Sequence, residues 1–235
     1  TIGAGGGFVA GSSEGFATLG AVNGISDTFG TAGDLVLKSQ GDSIKTFGEG
    51  ATAILAQSIG GGGGFVGASK DGVALGGETQ SNITAGDVTV TNSSLIQTTG
   101  KASAGLIAQS IGGGGGVVSI TESEKISFGG SGLINADAGS VKVENTGNIT
   151  TAGITSPLIM VQSIGGGGGF TTTSDQTPAL SKTNLIRLGD ISSQRSKAGS
   201  INVENSGTLF SSGRSSSALV VESIGAGGGN VRDLS

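Results

Sequence analysis

Five glycine runs are the first feature that could do chemistry, because successive backbone N–H groups in a glycine-rich loop can cradle a phosphate. They read GGGGG from Gly60, Gly112 and Gly165, and GAGGG from Gly3 and Gly225. A phosphate-binding loop of the GxxxxGK[ST] type needs lysine after the run, where Phe65, Val117, Phe170 and Asn230 stand instead. Calcium-binding nonapeptides need an aspartate in GGxGxDxUx, and none follows these glycines. Asp34 and Asp87 resemble a carboxylate pair, yet Ser140 and Ser200 fill the same register, which points to a turn role. Thr89 and Thr91 begin a flat threonine array of the ice-binding kind, and Lys142 and Glu144 interrupt it. No catalytic, cofactor-binding or metal-ligating residue is assigned, and no cofactor is expected.

The rest of the composition narrows the chemistry further. The 235 residues contain no Cys, His, Trp or Tyr, one Met and two Pro, which removes most side chains used for metals, nucleophilic relays and sugar stacking. A glycoside-cleaving solenoid could still place two carboxylates on neighbouring coils, but sugar clefts favour Trp and Tyr platforms. The net charge is −5 and no Lys/Arg cluster stands out in the sequence, so neither nucleic acid nor an acidic membrane is expected as a partner. Glycines interrupt every apolar stretch before it could span a bilayer. No membrane insertion by this segment is expected. No signal peptide is visible, and without cysteine no disulfide contributes.

The elements that would position any site are set by a repeat. The tag Ser-Ile-Gly recurs at Ser58, Ser110, Ser163 and Ser223, with Thr-Ile-Gly at Thr1, at intervals of 57, 52, 53 and 60 residues. Upstream of each later tag lies an Ala-Gly block: TAGDLVLKSQG, TAGDVTVTNSS, DAGSVKVENTG and KAGSINVENSG. From the glycine of that block (Gly33, Gly86, Gly139, Gly199) to the tag is 25, 24, 24 and 24 residues, whereas from the tag to the next such glycine it is 32, 28, 29 and 36. Half of each unit is rigid in length. Insertions fall in the other half, over 67–84, 119–137 and 171–197, where loops and any functional surface are expected.

Within the rigid half, apolar residues alternate: Val88 and Val90, Val141 and Val143, Ile201 and Val203, with Leu35 and Leu37 in the first unit. Period two predicts a strand with one dry face. Asn145 to Gly147 and Asn205 to Gly207 read as corners, and so do Gly48, Gly100, Gly153 and Gly213, each ten residues before a tag. The segment before each tag, such as Leu158-Ile159-Met160-Val161, is apolar without alternation. It predicts a strand buried on both faces, with the glycine run packed against its outer side and Phe65 and Phe170 anchoring that run. No stretch has the period and caps of a helix.

The expected architecture is all-β: a parallel β-helix or β-solenoid of 52–60-residue repeats with glycine-rich segments packed outside. The whole chain, 1–235, reads as one continuous solenoid fragment, with repeats at 1–57, 58–109, 110–162, 163–222 and the start of another at 223–235. If a coil uses roughly 18 to 27 residues, each unit makes two or three coils stacked about 4.8 Å apart.

SIGGGGG, preceded by a short aliphatic strand and by Gln57, Gln109, Gln162 or Glu222, resembles the passenger regions of large bacterial autotransporter adhesins, which are type V secreted proteins. The resemblance spans all five tags and all four Ala-Gly blocks. It implies export through an outer membrane, a C-terminal β-barrel translocator elsewhere, an extracellular cell-surface location, and a role in attachment or biofilm. The implied partner is a host or surface ligand, or neighbouring copies of the same protein. The expected function is therefore structural and adhesive rather than enzymatic. The alternatives are a polysaccharide-processing β-helix enzyme and a filament-forming extracellular subunit.

Overall fold

The computed structural model describes residues 6–13, 17–19, 31–69, 73–76, 81–121, 125–129, 134–173, 185–189 and 195–232, which form strands, turns and bends with no helix. The alternating segments become the strands Leu35–Ser39, Val88–Asn92, Val141–Asn145 and Ile201–Asn205. They lie parallel in one sheet, with Leu35 opposite Val88, Val88 opposite Val141, and Val141 opposite Ile201. Successive units therefore stack in register, and each inward aliphatic side chain sits on its counterpart in the next unit.

Among the described residues six parallel sheets are built this way, each from equivalent strands of successive units. Among the described residues every ladder joins one unit to another, and none joins two strands of the same unit. One unit is thus one layer. This corrects the expectation of two or three coils per unit, because a short coil would have to pair strands within a unit. The chain instead turns back in the plane of its own layer, so about 53 residues are spent before the stack advances by one strand spacing.

Each layer has two lobes. The first is enclosed by three strands, for example Val88–Asn92, Leu95–Thr98 and Leu106–Ile111. Val88, Val90, Ile96, Leu106 and Ala108 point into a core shared with Val141, Val143, Ile149, Ile159 and Val161 of the next unit. Burying a Val, Leu or Ile side chain contributes roughly 1.5–3 kcal/mol, so these columns are the main adhesive of the stack. In the final described layer, Leu219 and Val221 are each 47% exposed, whereas their counterparts Ile159 and Val161 are fully buried. Burial therefore comes from the neighbouring layer and not from the unit alone.

In the inner layers the strand before the tag is buried on both faces, as its unalternating sequence predicts: in Leu106–Ile111 and Ile159–Ile164 every residue is buried. Its second face carries Leu55, Ile107 and Met160, which pack against Phe65, Val117 and Phe170 from the strands Gly63–Ser69, Gly116–Thr121 and Gly169–Thr173. The glycine-rich segment does lie outside the first lobe, and Phe65 and Phe170 do anchor it. It is also a wall of the second lobe, because Val66 and Val118 on its far face meet Val73, Leu75 and Phe128.

The close approach explains the glycine. Gly64, Gly116 and Gly169 have φ of +137°, +134° and +142°, a region that side chains rarely enter. A Cβ at Gly116 would run into the carbonyl oxygen of Gly64, and one at Gly169 into that of Gly116. Glycine here is stacked on glycine from layer to layer.

Candidate functional site

The tag serine closes the first lobe. Ser110 Oγ donates to the carbonyl of Gly86 at the start of its own lobe (2.9 Å) and accepts from the N–H of Gly139 in the next layer (2.8 Å). Ser58 makes the same pair of bonds with Gly33 and Gly86, and Ser163 with Gly139 and Gly199. All three serines are fully buried. The clip is the physical reason that the distance from the Ala-Gly glycine to the tag is held at 24 or 25 residues. The same hydroxyl ties the beginning of a lobe to its end and one layer to the next.

Three further side-chain ladders run along the stack. Asn92 Nδ2 donates to Asn145 Oδ1 (2.7 Å), and Asn145 Nδ2 to Asn205 Oδ1 (2.6 Å), at the first corner. Gln57 donates to Gln109 and Gln109 to Gln162, each at 2.6 Å, and Gln162 donates to a carboxylate oxygen of Glu222 (2.5 Å). At the second corner Ser103 Oγ accepts from Ala51 N and donates to Gly48 O, and Ser156 Oγ repeats this with Ser103 N and Gly100 O. Buried amides and hydroxyls cost 1–3 kcal/mol when left unpaired, so each ladder penalises a slip in layer register.

The residues weighed for chemistry fall into this scaffolding. Asp34 Oδ1 accepts from the N–H of Asp87 (2.9 Å), and Asp87 Oδ1 from the N–H of Ser140 (2.7 Å). Their carboxylates are backbone caps between layers. The glycine runs do not offer a free anion cradle: Gly60 N–H donates to Ile111 O, Gly61 N–H to Gly112 O and Gly113 N–H to Gly165 O. Thr89 and Thr91 share their outward columns with Val36, Lys142 and Asn202, and with Lys38, Glu144 and Glu204, so no flat threonine array forms. Lys142 and Glu144 pair at 2.5 Å in solvent. The Glu144 hydrogen bond and charge, with a smaller push from Glu204, raise the Lys142 ammonium above its ordinary value. Among the described residues no group of three His, Cys, Asp or Glu side chains converges.

Among the described residues, grooves open on the surface in two places that bear on function. A small one, about 270 Å³, runs along the Asn corner between Glu144, Thr146, Glu204 and Ser206. A larger one, about 620 Å³, is lined by Asn82, Asn135, Asp137, Arg195, Ser196 and Lys197. It lies in the insertion-tolerant half of the units, at residues the sequence reading did not single out. The signal was there in their spacing: Asn82, Asn135 and Arg195 each stand four residues before an Ala-Gly glycine, and Asp137 and Lys197 stand two before. The rest of the segments 67–84, 119–137 and 171–197 lies partly outside the described residues. Compared with protein families, curated proteins and solved structures, the chain finds no match.

Proposed function

We propose that this chain is a structural and adhesive segment of a secreted bacterial surface protein of the autotransporter passenger kind, acting in attachment or biofilm. The observation that carries the reading is the division of labour within each unit. Inward columns and ladders are regenerated at every layer, whereas outward positions change type from one layer to the next, as Val36, Thr89, Lys142 and Asn202 do. Such a scaffold presents a long face of repeated, individually weak contacts that act together by avidity.

The layer geometry favours a presenting face over simple reach. With about 4.8 Å of rise per layer, a slim solenoid built of roughly 18-residue coils would extend about three times further per residue. The test is display of this chain on a bacterial surface, fused to a β-barrel translocator. Attachment to matrix-coated and abiotic surfaces is expected to rise several-fold over cells displaying the barrel alone. Unchanged attachment, or hydrolysis of a polysaccharide by the purified chain, would refute the reading.

A further inference from the structure

The larger groove is a three-layer site. The strands Ser81–Thr84 and Ile134–Asp137 pair in parallel, with Ala136 opposite Ile83 and Asp137 opposite Thr84. The next layer continues them with Arg195, Ser196 and Lys197: Ala136 N–H donates to Ser196 Oγ (3.1 Å), and Lys197 N–H to Asp137 Oδ1 (2.9 Å). The buried middle column is Ile83, Ala136 and Ser196. On either side of it, two surface columns run up the stack. One is Asn82, Asn135 and Arg195; the other ends in Asp137 and Lys197.

Asn82 and Asn135 both have φ of +57°, a conformation asparagine tolerates better than most residues. Asn135 Nδ2 donates to Asn82 Oδ1 (3.1 Å), which fixes the orientation of both amides. Asp137 has one carboxylate oxygen committed to the Lys197 backbone. Arg195 and Lys197 are exposed, and among the described residues no carboxylate pairs with either side chain. In a chain of net charge −5, this groove sets two cations, neither paired with a described carboxylate, beside two ordered amides and the single carboxylate of Asp137. Its volume is in the range of small-ligand clefts, about 300–1,000 Å³.

We propose that this groove binds an anionic saccharide: carboxylate or sulfate groups on Arg195 and Lys197, hydroxyls on the amides of Asn82 and Asn135. Guanidinium and ammonium groups match those anions, and an amide offers both a donor and an acceptor to a hydroxyl. No Trp or Tyr exists to stack on a sugar face, so binding rests on charge and weakens with salt. The inference deepens the adhesive reading by naming the ligand class of one face.

The experiment titrates the purified full chain with oligogalacturonate, dextran sulfate and neutral dextran, alongside the R195A/K197A double variant. Binding of either anionic probe, weakened at least tenfold in the variant with an unchanged melting curve, is expected. The two anionic arms separate carboxylate from sulfate recognition. Binding of neither anion at millimolar concentration, equal binding of neutral dextran, preferential binding of a single-stranded oligonucleotide, or no effect of the double substitution would overturn the proposal. N82A/N135A is a second probe: it is expected to weaken the anionic saccharide while leaving affinity for inorganic sulfate unchanged. If displayed R195A/K197A still attaches like the parent, the groove inference fails and the adhesive reading stands. If the purified chain binds the anion but display adds no attachment, the reverse holds.

Discussion

Ser110→Ala tests the clip that closes the first lobe. The substitution removes one hydroxyl, and with it a donor to Gly86 O at 2.9 Å and an acceptor for Gly139 N–H at 2.8 Å. Each intramolecular hydrogen bond contributes a net 0.5–1.5 kcal/mol, and a partner stranded away from water costs more. Ser110 is fully buried but the two glycines are only half-buried, so water recovers part of the loss. The expected destabilisation is about 2–3 kcal/mol. For a domain of this size 1 kcal/mol lowers Tm by roughly 2–4 °C, which gives a fall of about 4–12 °C. Hydrogen exchange supplies a local readout: protection of the Gly139 amide should drop by roughly 30-fold for about 2 kcal/mol. Ser140→Ala, next to the clip but at a half-buried serine whose hydroxyl makes a solvent-exposed contact with Ser200 Oγ (3.1 Å), should stay within about 0.5 kcal/mol. A Ser110→Ala protein melting within 1 °C of the parent, with the Gly139 amide equally protected, would show that the constant 24-residue spacing has another cause.

Gly116→Ala should destabilise by about 2–4 kcal/mol, because it combines positive φ with a Cβ aimed at the Gly64 carbonyl; urea unfolding with an unchanged midpoint would sink the close-packing account. Val143→Asp places a charge in the fully buried first-lobe column and should cost more than about 4 kcal/mol or prevent folding, as read by far-UV circular dichroism. The exposed Lys142–Glu144 pair should add a small stabilisation at neutral pH that disappears in alkali. A lysine raised above its ordinary value by a neighbouring carboxylate contributes stability below the unfolded pKa and loses it as pH rises through the folded one. Lys142→Met should therefore lower Tm slightly between pH 6 and 9, where the ion pair is intact, and abolish this pair's share of the fall in stability as pH rises into alkali.

Much of the scaffold was legible in residue patterns. Val88 and Val90, and Val141 and Val143, announce an inward face by their period of two. The unalternating Leu158-Ile159-Met160-Val161 announces a strand with no wet face, and Met160 does meet Phe170 across it. The number of layers per unit was not legible, because parallel pairing within a unit and between units leaves the same alternation. What decides it is the serine clip, which bends the rigid half back on itself in the plane. Its signature was visible as the constant 24- or 25-residue spacing, but a spacing does not say which two groups touch. The groove was harder still. Arg195 and Lys197 are separated in sequence from Asn82 by more than a hundred residues, and only the layer register sets them on one face.

The last unit shows why such a groove can vary without endangering the stack. It is seven residues longer than the one before, 60 against 53. Yet Asn145 reaches Asn205 at 2.6 Å, just as Asn92 reaches Asn145 at 2.7 Å, and the Ser163 clip closes on Gly199 at 2.8 Å. The extra residues are absorbed wholly between the tag and the next Ala-Gly glycine. Each ladder and clip fixes the first lobe on its neighbours, so a change of length in the second half costs mainly loop entropy, which rises slowly with length. A Thr84-like position can then become Asp137 or Lys197 at the price of surface chemistry alone. That separation lets the insertion-bearing half explore ligands while the core columns remain the same.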